Sequence, residues 1–235
     1  MAAGRKLQTP WANIADMMSS LMMVFLLISV SYSFQVKTKS DELQKVTDQV
    51  TLLTGEYTDN RKQIYDSLDK KFSSKFEEWS AILDEDSLTL RFESPALLFD
   101  PGSENLTVRF QEILSEFWPE YIAVLSEYSD DILEVRIEGH TSSEWAGATL
   151  DESYFKNMWL SQSRTRSTLR SCYNLTPEDD KEWVRKYVTA NGMSFSRPMM
   201  TTDFLEDPVK SRRVEFTVVV NSTKAIQNIR RVLND

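Results

Sequence analysis

The sequence is poor in the residues that build metal centres and catalytic triads. It has one cysteine, Cys172, and one histidine, His140, in 235 residues. A single cysteine forms no disulfide within the chain, and one histidine leaves little material for a zinc site or a Ser-His-Asp triad. The chain also has no convincing carboxylate pair or nucleophile motif. We therefore expect no metal, no cofactor and no enzymatic activity, and we interpret Cys172 as a small buried hydrophobic residue.

Positive charge is also scarce. The chain has 27 Lys and Arg against 36 Asp and Glu, which gives a formal net charge of -9. Binding to phosphates needs a basic face, so nucleic acid is excluded as an expected partner. Long apolar runs are confined to the first 35 residues, and from residue 36 onwards the sequence is acidic and water-soluble in character.

The apolar run from Trp11 to Phe34 contains a single ionisable side chain, that of Asp16. A helix of this length spans a hydrocarbon core of ~30 Å. The run is too long for a cleaved signal peptide, an acid interrupts its start, and no clear cleavage site follows. We assign residues 11–36 to a transmembrane helix that begins at Thr9-Pro10 and follows a cytoplasmic tail of residues 1–10. The large acidic region after one span favours a cytoplasmic N-terminus.

Asp16 is an unusual residue to find inside such a helix, because a carboxylate within the bilayer is costly. One interpretation is that it reaches the cytoplasmic headgroups. The other is that it carries a proton or another ion while facing a partner helix, since burial favours its neutral form. Ser19 and Ser20 follow at i+3 and i+4 on the same face, where their hydroxyls would assist an ion-carrying acid.

Residues 37–80 are predicted to form a helical linker, because the segment has no proline and one glycine. Its apolar residues follow a heptad spacing that is typical of a coiled-coil dimer, or of an amphipathic helix packed on its own domain. The seam residues are Leu43, Val46, Val50, Leu53 and Tyr57, and they are continued by Ile64, Leu68, Phe72 and Phe76.

Residues 81–235 alternate between strand and helix patterns and predict an α/β (α+β) sandwich. The predicted elements are a strand at 87–92, an apolar run at 97–99 as a second strand candidate, a helix at 107–128, a strand at 132–138, helices at 153–173 and from 176, and a strand at 213–220.

Three motifs in this region resemble those of the OmpA-like peptidoglycan-binding domains. They are Ile137-Glu138-Gly139-His140-Thr141, then Asn157-x-x-Leu160-Ser161-x-x-Arg164, then Arg212-Arg213-Val214-Glu215-Phe216, and Leu98-Phe99-Asp100 also fits. The resemblance implies a cleft for the diaminopimelate-containing stem peptide of the cell wall.

In that cleft Arg164 would pair with a ligand carboxylate, because a guanidinium binds carboxylates with a two-pronged fork. A structural salt bridge is the alternative role for Arg164. The resemblance implies that Asn157 and Leu160 line the cleft and that Thr141 closes its other side.

Ser142 occupies the position at which the family usually has an aspartate that contacts the ligand. Ser142 is therefore expected in the cleft, but it does not supply the carboxylate of that aspartate. Glu144 or Asp151 would replace that acid, or binding would be weaker. His140 is expected to fix the loop by packing.

Trp11 and Asp16-Met17-Met18 resemble the start of the membrane span in the MotB family of stator B subunits, in which the acid carries the transported ion. The short, acidic chain and its Gly139-to-Trp145 run look closer to the ZorB branch, from the Zorya anti-phage systems, than to flagellar members. The resemblance implies a homodimer inside a pentamer of a multi-span MotA-like or ZorA-like subunit, in a bacterial inner membrane, with a periplasmic domain bound to peptidoglycan. The ion would be a proton or sodium. A passive tether between membrane and wall is the competing hypothesis.

Overall fold

A long helix precedes a five-stranded α/β domain in the computed structural model, which describes residues 10–100 and 102–222. The helices are α1 (Pro10–Phe72), α2 (Phe76–Trp79), α3 (Pro95–Leu98), α4 (Val108–Ser126), α5 (Leu150–Leu175), α6 (Lys181–Tyr187) and α7 (Pro208–Ser211). The strands are β1 (Ala81–Asp84), β2 (Thr89–Phe92), β3 (Ile132–His140), β4 (Val188–Ser194) and β5 (Val214–Val220). Most of the predicted tail at residues 1–10, with the expected cap Thr9, and the end of the chain lie outside the described residues.

Helix α1 carries the predicted membrane segment. Its part from Ile14 to Leu52 is long and apolar enough to cross a membrane, with a mean hydropathy of 1.9 over its most apolar window. The large apolar side chains between Met17 and Phe34 are exposed in the single chain. An apolar surface of this extent is stable only in a nonpolar surrounding, which agrees with the span expected at residues 11–36.

The C-terminal turns of α1 belong to the globular domain. Ile64, Leu68 and Phe72 are buried, and the Phe72 ring lies 5.4 Å from that of Phe117 between centroids. The compact domain begins at Gly55, whereas the sequence analysis placed the linker at 37–80. Apolar residues from Ile64 onwards therefore pack on their own domain, which is the second of the two predicted alternatives.

The role of the heptad seam between Leu43 and Tyr57 as a coiled-coil contact stays a prediction. Leu43 is exposed, and Val46 and Val50 are half-buried. The side chains of Leu53 and Tyr57 lie outside the described residues, although both belong to α1.

The sheet has the strand order β1-β2-β5-β3-β4. Strand β5 is antiparallel to both β2 and β3, and β3 is parallel to β4, the strand to which α5 leads. The expected strands at 87–92, 132–138 and 213–220 are present as β2, β3 and β5, whereas β1 and β4 were not predicted.

The second strand candidate at 97–99 was wrong. Leu97 and Leu98 end the short helix α3, and Phe99 forms only an isolated bridge with Leu106. Pro95 explains the difference, because it fixes φ at the first position of a helix and cannot donate to a strand ladder.

An aromatic cluster between α4 and the sheet forms the centre of the core. Phe92, Phe110, Phe117, Tyr121 and Phe216 are fully buried, and their neighbouring ring centroids lie 4.7–6.1 Å apart. Rings at these separations favour tilted and edge-on contacts, which add to the free energy gained by burial. The cluster fixes β5 and β2 against α4.

Two glycines allow α5 to lie directly on the sheet. A Cβ atom at Gly192 would fall 2.4 Å from the backbone nitrogen of Gln162, and one at Gly139 would fall 2.6 Å from the Thr165 side chain. Thr149 and Glu152 form a capping box that starts the helix. Helix α5 is thus held in a fixed register against β3 and β4, which positions its polar face.

Candidate functional site

All five side chains predicted for ligand binding in the domain line one cleft of about 300 Å³, although they come from two distant segments. The predicted residues are Thr141, Ser142, Asn157, Leu160 and Arg164, and the cleft is completed by Gly102, Glu144, Trp145, Ala146 and Arg212. Residues 141–146 follow the end of β3 and form the lip of the cleft, and α5 provides the opposite wall.

Arg164 has no carboxylate within ion-pairing distance among the described residues, so the predicted alternative of a structural salt bridge receives no support. Its Nε donates to the carbonyl oxygen of Ser103 at 2.9 Å, and its guanidinium lies over the Phe99 ring, 4.8 Å from the centroid. Burial, together with the positive charge of Arg212, lowers the pKa of Arg164 to about 10. The group is still charged at neutral pH and is oriented for an anionic ligand.

Arg212 holds the lip of the cleft from the start of β5. Its Nη1 donates to the Ser142 Oγ at 3.2 Å and to the Glu144 carboxylate at 3.3 Å. Glu144 is therefore the acid that lines the cleft, whereas Asp151 is exposed in the first turn of α5 and lines neither this cleft nor the cavity beside it. The arrangement favours Glu144 over Asp151 as the replacement for the acid that Ser142 lacks.

The lip is also held from behind by a chain of hydrogen bonds. Asn157 Nδ2 donates to Ser153 Oγ at 3.2 Å, and that hydroxyl donates to the Ser143 carbonyl oxygen at 2.7 Å. The Ser143 amide donates to the Glu206 carboxylate at 3.1 Å, and the Ser143 hydroxyl donates to it as well. Asn157 is 3% exposed, so its role in this structure is to fix the lip, with Leu160 buried beside it.

Glu206 is a testable part of this support. We expect Glu206→Ala to weaken binding of the full chain to purified sacculi by about 5–30-fold, because charge-assisted hydrogen bonds of this kind contribute ~1–2 kcal/mol. Glu206→Gln keeps an acceptor for the Ser143 amide and should restore most of the binding. Asp203→Ala, in the same loop but exposed, is the matched control. Equal retention of Glu206→Ala and wild type in a sacculus pull-down would exclude this role.

His140 lies under the cleft in a buried charged cluster. Its Nε2 is 3.2 Å from a Glu215 oxygen and 4.0 Å from a Glu138 oxygen. Arg91 and Arg213 each place Nε 2.7 Å from the other Glu215 oxygen. Burial would raise the pKa of Glu215, but the contacts with His140 and Arg213 outweigh it and hold that pKa well below its usual range.

The same cluster has a spacing that a metal ion accepts. Donor atoms of Glu138, His140 and Glu215 lie within 4.8 Å of one another. Two guanidinium groups already neutralise Glu215, so a divalent cation would meet positive charge rather than a free carboxylate pair. The electrostatics therefore favour a structural role, as expected for His140.

The stability of the domain should fall on mild acidification because of His140. Burial lowers the pKa of His140, and this effect exceeds the opposing influence of Glu215 and Glu138. Between the lowered folded value and the ordinary value of ~6.5, the unfolded chain binds more protons, so the free energy of unfolding decreases as pH falls through this window. Thermal unfolding of wild type and His140→Gln, followed by near-UV circular dichroism from pH 7.5 to 5, tests this. The variant should show a shallower slope, and equal slopes would contradict it.

The predicted ion-carrying group lies on helix α1. Asp16, Ser19 and Ser20 are exposed on the single chain and occupy positions i, i+3 and i+4, hence one face. The described residues place no other Asp, Glu, Lys or Arg between Trp11 and Val36.

Sequence reasoning missed Arg212 and Trp145 as cleft residues. Arg212 was visible within the Arg212-to-Phe216 motif, but only the fold brings its guanidinium to the lip. Trp145 stood in the same short run as Ser142 and Glu144, and no spacing rule identifies an aromatic residue in a loop as part of a binding wall.

No model of a protein family matches the chain. The chain is 39% identical over 221 residues to the Zorya protein ZorB of Escherichia coli strain Crooks, which covers 93% of this chain and 91% of that protein.

Among solved structures, a MotB-like protein from Desulfovibrio vulgaris aligns with a TM-score of 0.52 at 22% identity, over 72% of this chain and 99% of that one. The cell wall anchor of a type VI secretion system from Pseudomonas aeruginosa gives a TM-score of 0.46 at 22% identity, over 66% and 97%.

The globular domain, with its cleft beside β3 and α5, has the fold of a MotB-like protein. The long and nearly complete match to its relative makes the assignment more specific: the chain belongs to the ZorB family of Zorya proteins.

Proposed function

We propose that the chain is the B subunit of an ion-driven stator that is anchored to peptidoglycan and acts in a Zorya anti-phage complex. One observation carries the proposal. The same chain places a lone carboxylate, Asp16, in an apolar span and an unpaired arginine, Arg164, in a cleft of the domain. An ion carrier needs a fixed frame to work against, and a wall-bound domain supplies that frame.

The cleft suits a zwitterionic group of a wall stem peptide. Arg164 faces it without an acid partner among the described residues and is available for a carboxylate. Glu144 is mostly exposed, and its carboxylate lines the same cleft. Diaminopimelate has a carboxylate and an ammonium on one carbon, so Arg164 would bind the first and Glu144 the second, while Thr141 and Ser142 contribute polar contacts.

The span suits transfer of a proton or a sodium ion. In this proposal Asp16 alternates between a neutral and a charged form, with the hydroxyls of Ser19 and Ser20 beside it. Two copies of α1 would sit inside a multi-span MotA-like or ZorA-like subunit, expected to be a pentamer. Protonation and release at Asp16 would turn that ring around the wall-fixed dimer.

The topology that follows is a single pass through a bacterial inner membrane with a cytoplasmic N-terminus and a periplasmic domain. The long match to a Zorya protein favours defence over flagellar motility. In this proposal the chain acts by binding and ion transfer rather than as an enzyme.

A passive tether is the second candidate, and it is favoured by the wall-type domain alone. A tether does not require the carboxylate of Asp16, whereas an ion-driven stator does, so this residue distinguishes the two candidates. Phage challenge of cells with the complete complex decides: loss of protection in Asp16→Asn with intact assembly supports a driven stator, and full protection supports a tether.

A further inference from the structure

A second cavity, here named the chamber, lies beside the cleft. Its volume is about 350 Å³, and it shares Gly102, Arg164 and Arg212 with the cleft as lining residues. The two cavities therefore adjoin one another at these two arginines and this glycine.

The chamber differs from the cleft in its chemistry. Ala96, Leu98 and Phe99, from α3 and the residue after it, give it an apolar side. His140 also lines the chamber; it is 3% exposed, its Nε2 faces Glu215, and its Nδ1 makes no hydrogen bond with the described residues. The chamber therefore accepts a small apolar group with a polar end, and it has no acid among its lining residues.

The positive charge of Arg164 and Arg212 indicates which polar group of a ligand the chamber favours. Both hydrogen bonds of the Arg212 side chain use Nη1, with Ser142 and Glu144 as acceptors. Its Nη2 makes no hydrogen bond with the described residues, and its charge is close enough to Arg164 to lower the pKa of that residue. A carboxylate is one of the groups that a guanidinium ion binds with a two-pronged fork, and it is the one that a wall peptide carries at its end.

We infer that the chamber is a second subsite and that it binds the terminal D-alanine of a wall tetrapeptide. The methyl group would lie against Ala96 and Leu98, and the carboxylate would pair with Arg212. This inference rests on the proposed function, since it assigns the neighbouring diaminopimelate to the cleft. It goes beyond that function by requiring a peptide that ends in D-alanine.

The test compares two synthetic peptides, L-Ala-γ-D-Glu-diaminopimelate and the same tripeptide extended by D-alanine. Binding to the full chain in detergent micelles is measured by calorimetry. The wild type should bind the tetrapeptide about tenfold more tightly, from a buried methyl and a charge-assisted contact. A tetrapeptide with an amidated C-terminus should lose most of that gain.

Ala96→Phe fills the chamber from an exposed position on a short helix. It should bring the ratio of the two dissociation constants to about one and leave the affinity for the tripeptide unchanged, which also shows that the variant is folded. Val209→Phe adds the same ring on α7, outside both cavities, and should keep the tenfold ratio.

The outcomes separate the two proposals. Equal affinities of the wild type for tripeptide and tetrapeptide, or an unchanged ratio in a folded Ala96→Phe, would overturn the chamber and leave wall binding intact. If Ala96→Phe binds neither peptide, the amidated tetrapeptide decides with the wild type alone, and undiminished affinity for it overturns the chamber. Failure of the wild type to bind either peptide would overturn both proposals.

Discussion

Replacing Asp16 by asparagine should reduce phage protection to the level of cells that lack the complex. Asparagine has nearly the same shape and still forms hydrogen bonds, but it cannot release a proton or hold a cation by charge. It is also cheaper to insert into a bilayer than a carboxylate, so the helix should insert and assemble normally. The measurement is the efficiency of plating of a susceptible phage on cells that express the whole system from its own promoter.

The control for this variant is a second acid on the same helix. Asp41 is exposed on α1, beyond the predicted span, and Asp41→Asn should protect as well as the wild type. Co-purification of the multi-span subunit with each variant establishes that assembly is unchanged. Full protection by Asp16→Asn, with assembly intact, would remove the ion-carrying role and leave a tether.

The sequence predicted those parts of the molecule that are set by local pattern. The span is evident because 24 residues contain one charge, and β3 and β5 are evident because apolar residues alternate with charged or polar ones along most of each strand. The Asn157-to-Arg164 spacing places cleft residues on one helix, which is a local property too.

Elements set by tertiary contact escaped prediction. Strand β4 has Asn191-Gly192 at its centre, a pair that indicates a turn. The close approach of Gln162 on α5 explains the glycine, and no window of sequence contains that neighbour. Strand β1 has four residues directly after α2, and its start depends on Ser80, whose φ of 49° ends the helix in a left-handed conformation.

The sequence predicted which residues line the candidate site, but it did not predict which residues hold them in place. Thr141 and Ser142 were recognised together with Arg164, and the structure brings them into one cleft. The supports come from far along the chain, as with Glu206 on Ser143 and Arg212 on Glu144. Charged residues in loops are too common for sequence alone to select these two.

Arg164→Ala is expected to lower binding of the full chain to purified sacculi by about 10–100-fold. Arg164 forms no ion pair with the residues that the structure describes, so most of its charge is available for the ligand rather than for stability. A charge-assisted hydrogen bond to a carboxylate contributes ~1.5–3 kcal/mol, and ~1.4 kcal/mol corresponds to a factor of ten. Co-sedimentation at increasing sacculus concentrations measures the change.

Two variants separate charge, geometry and folding. Arg170→Ala removes an exposed arginine from the same helix, outside the cleft, and should bind like the wild type. Arg164→Lys keeps the charge but loses the two-pronged fork, so its affinity should fall between those of wild type and Arg164→Ala. If Arg164→Ala is retained as well as Arg170→Ala, the cleft is not the wall-binding site. Because the carboxylate at Asp16 needs a fixed frame to work against, that result would also withdraw the reason for linking the two ends of the chain in one function.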